Sequence, residues 1–199
     1  MRIAPSEFRS RPLRVHELLH DVPLEDAWAI PLRGGGAGRT IEDLRNAFNA
    51  GRKAAPPVVQ ALFWLRGRIG DMFGWDQARP AWKADSYVER LTPADRDRSL
   101  AVPGTPDGEF SLLYRFEDEQ LAELRNATVR AFLSLSIRPA PDGYLVYLGV
   151  FVQPVHGFTK LYMAAIRPFR HWIVYPALLR SVQIAWAELF SGARAADLA

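Results

Sequence analysis

The chain has 199 residues, of which 49 % are hydrophobic and 24 % charged, and its formal net charge is +3. This length and composition allow one full hydrophobic core, so a fibrous or wholly disordered protein is excluded. The absence of cysteine excludes disulfides, thiolate metal sites and cysteine nucleophiles. Arginines are interleaved with acidic residues along the whole chain, so no nucleic-acid partner is expected.

Neither a signal peptide nor a membrane span is predicted. Residues 1–14 carry four arginines and no apolar run, and the strongly apolar stretch at 172–179 is far shorter than the roughly 20 residues that a span requires. We therefore expect a cytoplasmic protein. The predicted organisation is a flexible N-terminal segment at 1–13, one domain at 14–191 and a disordered tail at 192–199.

The first predicted elements are a strand and a short helix. Residues 14–22 can be read with a period of two, as in a half-buried strand. Pro23 then fits the first turn of a helix, because it lacks the N–H that stays unpaired there, and Trp28 falls on the apolar stripe of that helix. The glycine-rich run at 34–38 lacks the lysine of a phosphate-binding loop and predicts a flexible connection.

Two further helices are predicted before the main sheet. Thr40 caps the first, which Gly51 ends. The second helix begins at the proline pair 56–57, and its apolar residues recur at helical spacing as far as about residue 74. The segment 75–108 is rich in Pro, Asp and Arg, and it predicts a capped turn but no long element.

The C-terminal half predicts an antiparallel meander followed by a long helix. Alternating residues indicate strands at 110–116, 120–126, 129–137 and 144–152. The last of these strands is apolar on both faces, as expected for a strand inside a sheet that is covered on both sides. From about residue 156 to 191 the spacing is that of an amphipathic helix, kinked where Pro168 and Pro176 each remove a backbone donor.

This order of elements resembles the START-like helix-grip superfamily, also called SRPBCC. The opening VHELLHDVPLEDAW is similar to the start of such domains, and LLYRFEDEQLAELRNATVRAFLSL with FTKLYMAAIRPFRHWIVYPALL looks like an uncharacterised bacterial family of the superfamily, a domain of unknown function. The resemblance implies an α+β fold in which a curved antiparallel sheet wraps around the C-terminal helix. It also implies a cavity for a hydrophobic ligand, since members of the superfamily bind such molecules and some are cyclases or hydrolases.

Five polar residues are candidates for contact with a ligand. Tyr114, Asn126 and Tyr147 lie within apolar strands, and buried polar groups require partners. His156 stands where the last strand gives way to the long helix, with Tyr162 close by in sequence. Backbone atoms are the alternative partners of these groups, and a cap or hydrogen bond at the helix start is the favoured role of His156, so both interpretations stay open.

The sequence also contains HELLH, from His16 to His20, which matches the HExxH pattern of zinc peptidases. On a strand the two histidines would be about 13 Å apart, too far to share one metal ion. We interpret the match as coincidental and expect neither a metal nor a cofactor, with a zinc hydrolase as a remote alternative.

The sequence predicts a binder of a small hydrophobic molecule, such as a lipid, a polyketide-like compound or an aromatic compound, held between the sheet and the C-terminal helix. A cofactor-independent cyclase, hydrolase or isomerase that uses the same cavity is the alternative. A third possibility is an interaction surface on the helix, where Arg167, Arg170 and Arg180 accompany aromatic residues. The sequence does not indicate catalytic residues or the oligomeric state.

Overall fold

The computed structural model describes residues 1–54, 86–125, 129–154, 168 and 170–190. Its helical elements are α1 (Pro5–Arg9), α2 (Val15–Leu18), α3 (Ile41–Lys53), a 3-10 helix (Tyr87–Arg90), α4 (Pro93–Arg98), a π-helical turn (Arg170–Val174) and α5 (Tyr175–Phe190). Its strands are β1 (Leu24–Arg33), β2 (Pro106–Asp107), β3 (Phe110–Arg115), β4 (Glu119–Arg125), β5 (Val129–Ala140) and β6 (Gly143–Pro154).

The strands form one six-stranded antiparallel sheet in the order β1-β6-β5-β4-β3-β2. The sheet is curved and carries the C-terminal helix on one face, which confirms the predicted α+β helix-grip class. The four predicted strands of the meander are confirmed as β3 to β6, with a tight turn at Pro141 and Asp142 between the last two. No helix in the described ranges is long and apolar enough to cross a membrane.

The first strand begins later than the sequence predicts. Residues 14–22 contain α2 and turns instead of a strand, and the segment after Pro23 is β1 instead of a helix. Both faces of β1 are covered, so Trp28, Ile30 and Leu32 are buried on one side, while Ala27 and Ala29, which flank Trp28, are buried on the other. A strand that is apolar on both faces also satisfies helical spacing, and for this reason the two periodicities could not be separated.

The N-terminal segment packs onto the sheet, although the sequence predicted that it would be flexible. The backbone N–H of Ile3 donates to the carbonyl of Ala27 at 3.0 Å. The Phe8 side chain is fully buried, and its ring lies so close to Gly149 that a Cβ there would be 2.5 Å from it. The predicted tail at 192–199 lies outside the described residues.

The sheet separates two hydrophobic cores. We call the side packed by α1, α2 and the 3-10 helix the N-terminal face, and the side packed by α3 and α5 the helical face. The largest fully buried side chains of the N-terminal face are Phe8, Leu19, Tyr114, Phe116, Phe132 and Phe151. Those of the helical face are Ile30, Leu32, Ile41, Leu44 and Trp186. Alternation along β1 and β6 supplies residues to both cores.

On the helical face, α3 and α5 cross in close contact. The carboxylate of Asp43 accepts the Thr40 N–H at 3.0 Å, so the predicted cap is confirmed. However, α3 does not end at Gly51 but continues to Lys53. A Cβ on Gly51 would lie 2.8 Å from the backbone nitrogen of Val182, so this glycine allows the two helix backbones to meet.

The π-helical turn directly precedes α5. Pro176 lacks the N–H that would bond to the Trp172 carbonyl in an α-helix, which accounts for the irregular backbone at this point. The predicted kink at Pro176 lies at this junction, whereas the residues on either side of Pro168 lie outside the described residues. The remaining predicted helix, at 156–167, and the helix at 56–74 lie outside the described residues.

Candidate functional site

The candidate site centres on Asp26, a carboxylate on the helical face of β1. Its side chain has no exposed surface. It lies where the pairing of β1 with β6 shifts register between Leu24 and Asp26, and such irregularities re-aim side chains. A carboxylate removed from water requires charged or hydrogen-bonding partners, so the residues around Asp26 define the chemistry of this position.

The partners of Asp26 come from the π-helical turn and the start of α5. The Nε2 atom of His171 is hydrogen-bonded to Oδ1 of Asp26, and the Tyr175 hydroxyl donates to Oδ2 at 3.2 Å. The guanidinium of Arg170 lies 3.3 Å from Oδ2, and that of Arg2 lies 3.9 Å from Oδ1. Because a π-helix brings positions five apart together, it places Arg170 and Tyr175 on the same carboxylate.

The hydrogen bond to Asp26 determines which nitrogen of neutral His171 carries the proton. Asp26, paired with Arg170, serves as the acceptor, so Nε2 carries the hydrogen and donates it. The other nitrogen, Nδ1, keeps its lone pair and makes no hydrogen bond within the described part of the chain. The His171 side chain is 12 % exposed, so the ring is mostly buried but keeps some contact with solvent.

Three aromatic rings line this position. The Trp28 ring centroid lies 5.2 Å from that of Tyr175 and 6.4 Å from that of His171, and the rings of His171 and Tyr175 stack at 6.2 Å. Burial, with the adjacent Asp26 carboxylate, raises the pKa of Tyr175 well above its ordinary value. Tyr175 therefore stays a neutral hydrogen-bond donor.

Two buried N–H groups on residues of this cluster lack an acceptor. Nε1 of Trp28 and Nε of Arg170 have no hydrogen-bond partner among the described residues. Trp28 as a whole is only 8 % exposed. Buried donors are nearly always paired with protein or with ordered water, so each of these two donors is open to an oxygen acceptor that the described residues do not supply.

A family model matches residues 18–177 of the chain. The chain belongs to the DUF2867 family, described as a protein of unknown function. No curated protein matches it. The crystal structure of the di-domain ARO/CYC StfQ from the steffimycin biosynthetic pathway is similar to this DUF2867 chain, with 13 % sequence identity and a TM-score of 0.37. The match covers 92 % of this chain and 55 % of that one, so the DUF2867 chain spans about half the length of StfQ.

Two of the five predicted site residues of the DUF2867 chain lie within the described residues, and neither is at Asp26. Tyr114 and Tyr147 are buried on the N-terminal face, opposite α5. Asn126, His156 and Tyr162 lie outside the described residues.

Sequence analysis missed the residues that meet on the helical face. The available signal was a carboxylate inside an apolar segment, a histidine between Arg170 and Trp172, and a tyrosine four residues later.

Tyr114 instead belongs to a network that attaches the N-terminal segment to the sheet. Its hydroxyl donates to the carboxylate of Glu119, which also accepts the backbone N–H groups of Arg14 at 2.9 Å and Val15 at 3.0 Å. Burial raises the pKa of Glu119 although all three hydrogen bonds favour the charged form. The Arg14 side chain continues the network to Asp95 at 2.7 Å. The DUF2867 chain thus has a second buried polar cluster, whose contacts bind its own backbone.

The HELLH motif lies on α2 and the turn after it. The predicted strand, from which the separation of the two histidines was estimated, is therefore wrong. Nε2 of His16 is hydrogen-bonded to the Phe8 carbonyl at 3.1 Å, and Nδ1 of His20 to the Glu17 carbonyl at 2.9 Å. Burial lowers the pKa of His16. Across the described ranges, no three His, Cys, Asp or Glu side chains are grouped to hold a metal ion.

Proposed function

We propose that this DUF2867 protein is START-like and binds a small, largely hydrophobic molecule in the cytoplasm, on the helical face of the sheet between β1 and the π-helical turn. One observation supports the proposal most directly. The rings of Trp28, His171 and Tyr175 pack against one another on this face, and two buried N–H donors, on Trp28 and Arg170, have no partner among the described residues. Sites for small molecules are mainly apolar and aromatic, with a few fixed polar groups that orient the ligand.

The charges at the site favour an uncharged ligand. The carboxylate of Asp26 is balanced by Arg170 and receives hydrogen bonds from His171 and Tyr175. An anionic ligand would face this buried carboxylate, and a cationic ligand would face the guanidinium. The free donors, Trp28 Nε1 and Arg170 Nε, select a carbonyl or hydroxyl oxygen. The proposed ligand is therefore an apolar skeleton with at least one such oxygen.

Binding can be tested with 2-tetralone, an uncharged bicyclic ketone, by following the indole N–H signals in proton–nitrogen NMR spectra. The Trp28 signal should move and saturate as its N–H finds an acceptor. The Trp186 indole N–H, which is also buried without a partner among the described residues, lies between Tyr144 and Phe190 and should stay unchanged.

A pair of matched variants completes the binding test. Trp28→Phe keeps an aromatic ring but removes the donor, so the affinity for 2-tetralone should fall about tenfold, as for one lost hydrogen bond. Trp186→Phe should leave the affinity unchanged. If the Trp28 signal of the wild-type protein shows no saturable change, the proposed function is wrong.

A further inference from the structure

The hydrogen bonding of His171 is closer to that of a catalytic base than to that of a histidine that only anchors a helix. We propose that His171 is a general base that moves a proton on an enolisable ketone, so that the site catalyses isomerisation of a small carbonyl compound. This inference rests on the proposed function, because it assigns chemistry to a molecule bound at Trp28 and Tyr175.

The first step of the argument is the orientation of the imidazole. Asp26 receives the hydrogen on Nε2, so the opposite nitrogen, Nδ1, is the one that can accept a proton. The ring is also fixed by stacking on Tyr175 at a centroid distance of 6.2 Å. Asp26 is thus a positioning residue, since it sets the tautomer and the direction of His171 without contacting the ligand.

The second step is the charge that develops on the imidazole. When Nδ1 takes up a proton, the resulting imidazolium remains hydrogen-bonded to the Asp26 carboxylate, which stabilises it. The other groups that face Asp26 are the Tyr175 hydroxyl and the guanidiniums of Arg170 and Arg2. The base is regenerated when the imidazolium gives the proton back to the ligand.

The third step concerns the electrons of the ligand. As the proton leaves the carbon next to the carbonyl, the C–H electron pair forms a carbon–carbon double bond and the carbonyl electrons move onto oxygen. The unpartnered N–H groups of Trp28 and Arg170 can donate to this oxyanion. The imidazolium then returns the proton to the oxygen or to another carbon of the enolate. The reaction is an isomerisation and consumes no water, oxidant or cofactor.

The test is deuterium exchange of 2-tetralone in heavy water, followed by proton NMR. The wild-type protein should speed exchange at the carbons beside the carbonyl above the buffer rate, with saturation in 2-tetralone. His171→Gln should lose at least about 100-fold of the acceleration, whereas Trp186→Phe should keep it.

Asp26→Asn separates positioning from anchoring. With the carboxylate gone, the nitrogen NMR spectrum of His171 should show a changed tautomer ratio, and kcat should fall more than KM rises. If Asp26 only anchored the helix, the tautomer ratio would still change, but kcat and KM of the folded variant would not. Circular dichroism establishes whether each variant is folded, and the wild-type measurements stand even if a variant is not.

Two outcomes would overturn the inference: binding of 2-tetralone at Trp28 with exchange at the buffer rate, or full exchange activity in folded His171→Gln. The first of these leaves the proposed function intact. A wild-type protein that does not bind 2-tetralone contradicts the proposed function itself.

Discussion

Tyr114 donates a hydrogen bond to a carboxylate that is almost completely buried, so removal of its hydroxyl should lower the stability of the protein. Tyr114→Phe leaves one acceptor position of Glu119 without its donor, so we expect a loss of about 1.5–3 kcal/mol in the free energy of unfolding. Tyr147→Phe is the matched control, because Tyr147 is buried on the same face and its hydroxyl makes no hydrogen bond within the described residues. Urea denaturation measures both variants.

The same pair of variants tests whether either hydroxyl contacts a ligand, which stays a prediction of the sequence. Since both tyrosines lie on the N-terminal face, neither substitution should change the affinity for 2-tetralone at Trp28. Equal stability of the two variants would contradict the assigned role of the Glu119 hydrogen bond.

Glu119 should give stability a specific pH dependence. Burial raises its pKa in the folded protein above the ordinary value of 4.5. The folded state therefore binds the proton more tightly than the unfolded state, and this contribution to stability is complete below pH 4.5 and is lost as the pH rises through the folded pKa. Glu119→Gln cannot titrate, so its unfolding free energy relative to wild type should increase from pH 4 upward. Urea titrations at several pH values measure this difference, and an opposite slope would refute it.

The residues of the candidate site were hidden from sequence analysis by distance along the chain. Asp26 and His171 are separated by 145 positions, and no local periodicity reports a contact of that kind. Tyr114 was correctly identified as a buried polar group that requires a partner, but its partner is a carboxylate only five residues away. Polarity in an apolar strand predicts burial and a partner; it does not predict which face the side chain occupies.

At the scale of helices and strands, the close contact between α3 and α5 is the feature that a single substitution tests most directly. Gly51→Ala would normally stabilise a helix by about 1 kcal/mol through propensity. Here the new Cβ would lie 2.8 Å from the Val182 nitrogen, and backbone cannot yield as a flexible side chain can. We therefore expect a loss of about 1–3 kcal/mol from overpacking. Asn46→Ala, at an exposed position of α3, is the control and should be neutral or slightly stabilising.

Thermal or urea unfolding of the two variants measures this difference directly. A stabilised Gly51→Ala variant would mean that α3 and α5 are further apart than described. The comparison also explains why Gly51 was taken as a helix end: glycine marks either a terminus or a close approach of two backbones, and the sequence alone does not distinguish these.

Among the strands that could be predicted, β5 has the clearest pattern. In β5, Phe132 and Leu135 are buried on opposite faces and the alternation continues through the strand, so its position follows from the pattern alone. For β1 the apolar residues occupy both faces, and the proline at its start favoured a helix. The cover of the N-terminal face by residues 1–22 was not predictable, because these short elements are stable only through their contacts with the sheet.

At the scale of the whole molecule, a single sheet carries two cores, so a destabilising substitution on one face should lower the stability of both cores. β1, β5 and β6 supply side chains to both cores, and a strand cannot leave one core while it remains in the other. Phe8→Ala acts on the N-terminal face, where the ring is fully buried, and should cost about 3–5 kcal/mol. The indole signals of Trp28 and Trp186, both on the helical face, should disappear in the same urea transition that circular dichroism reports.

Leu44→Ala is the reciprocal variant, since Leu44 is fully buried on the helical face. It should cost about 2–5 kcal/mol and shift the indole and circular dichroism transitions together. If the two cores were independent, Phe8→Ala would split the unfolding curve and leave the indole transition at its wild-type midpoint. Coincident shifts in both variants, with an unchanged slope against urea, are the expected result, because the shared strands make the two cores one cooperative unit.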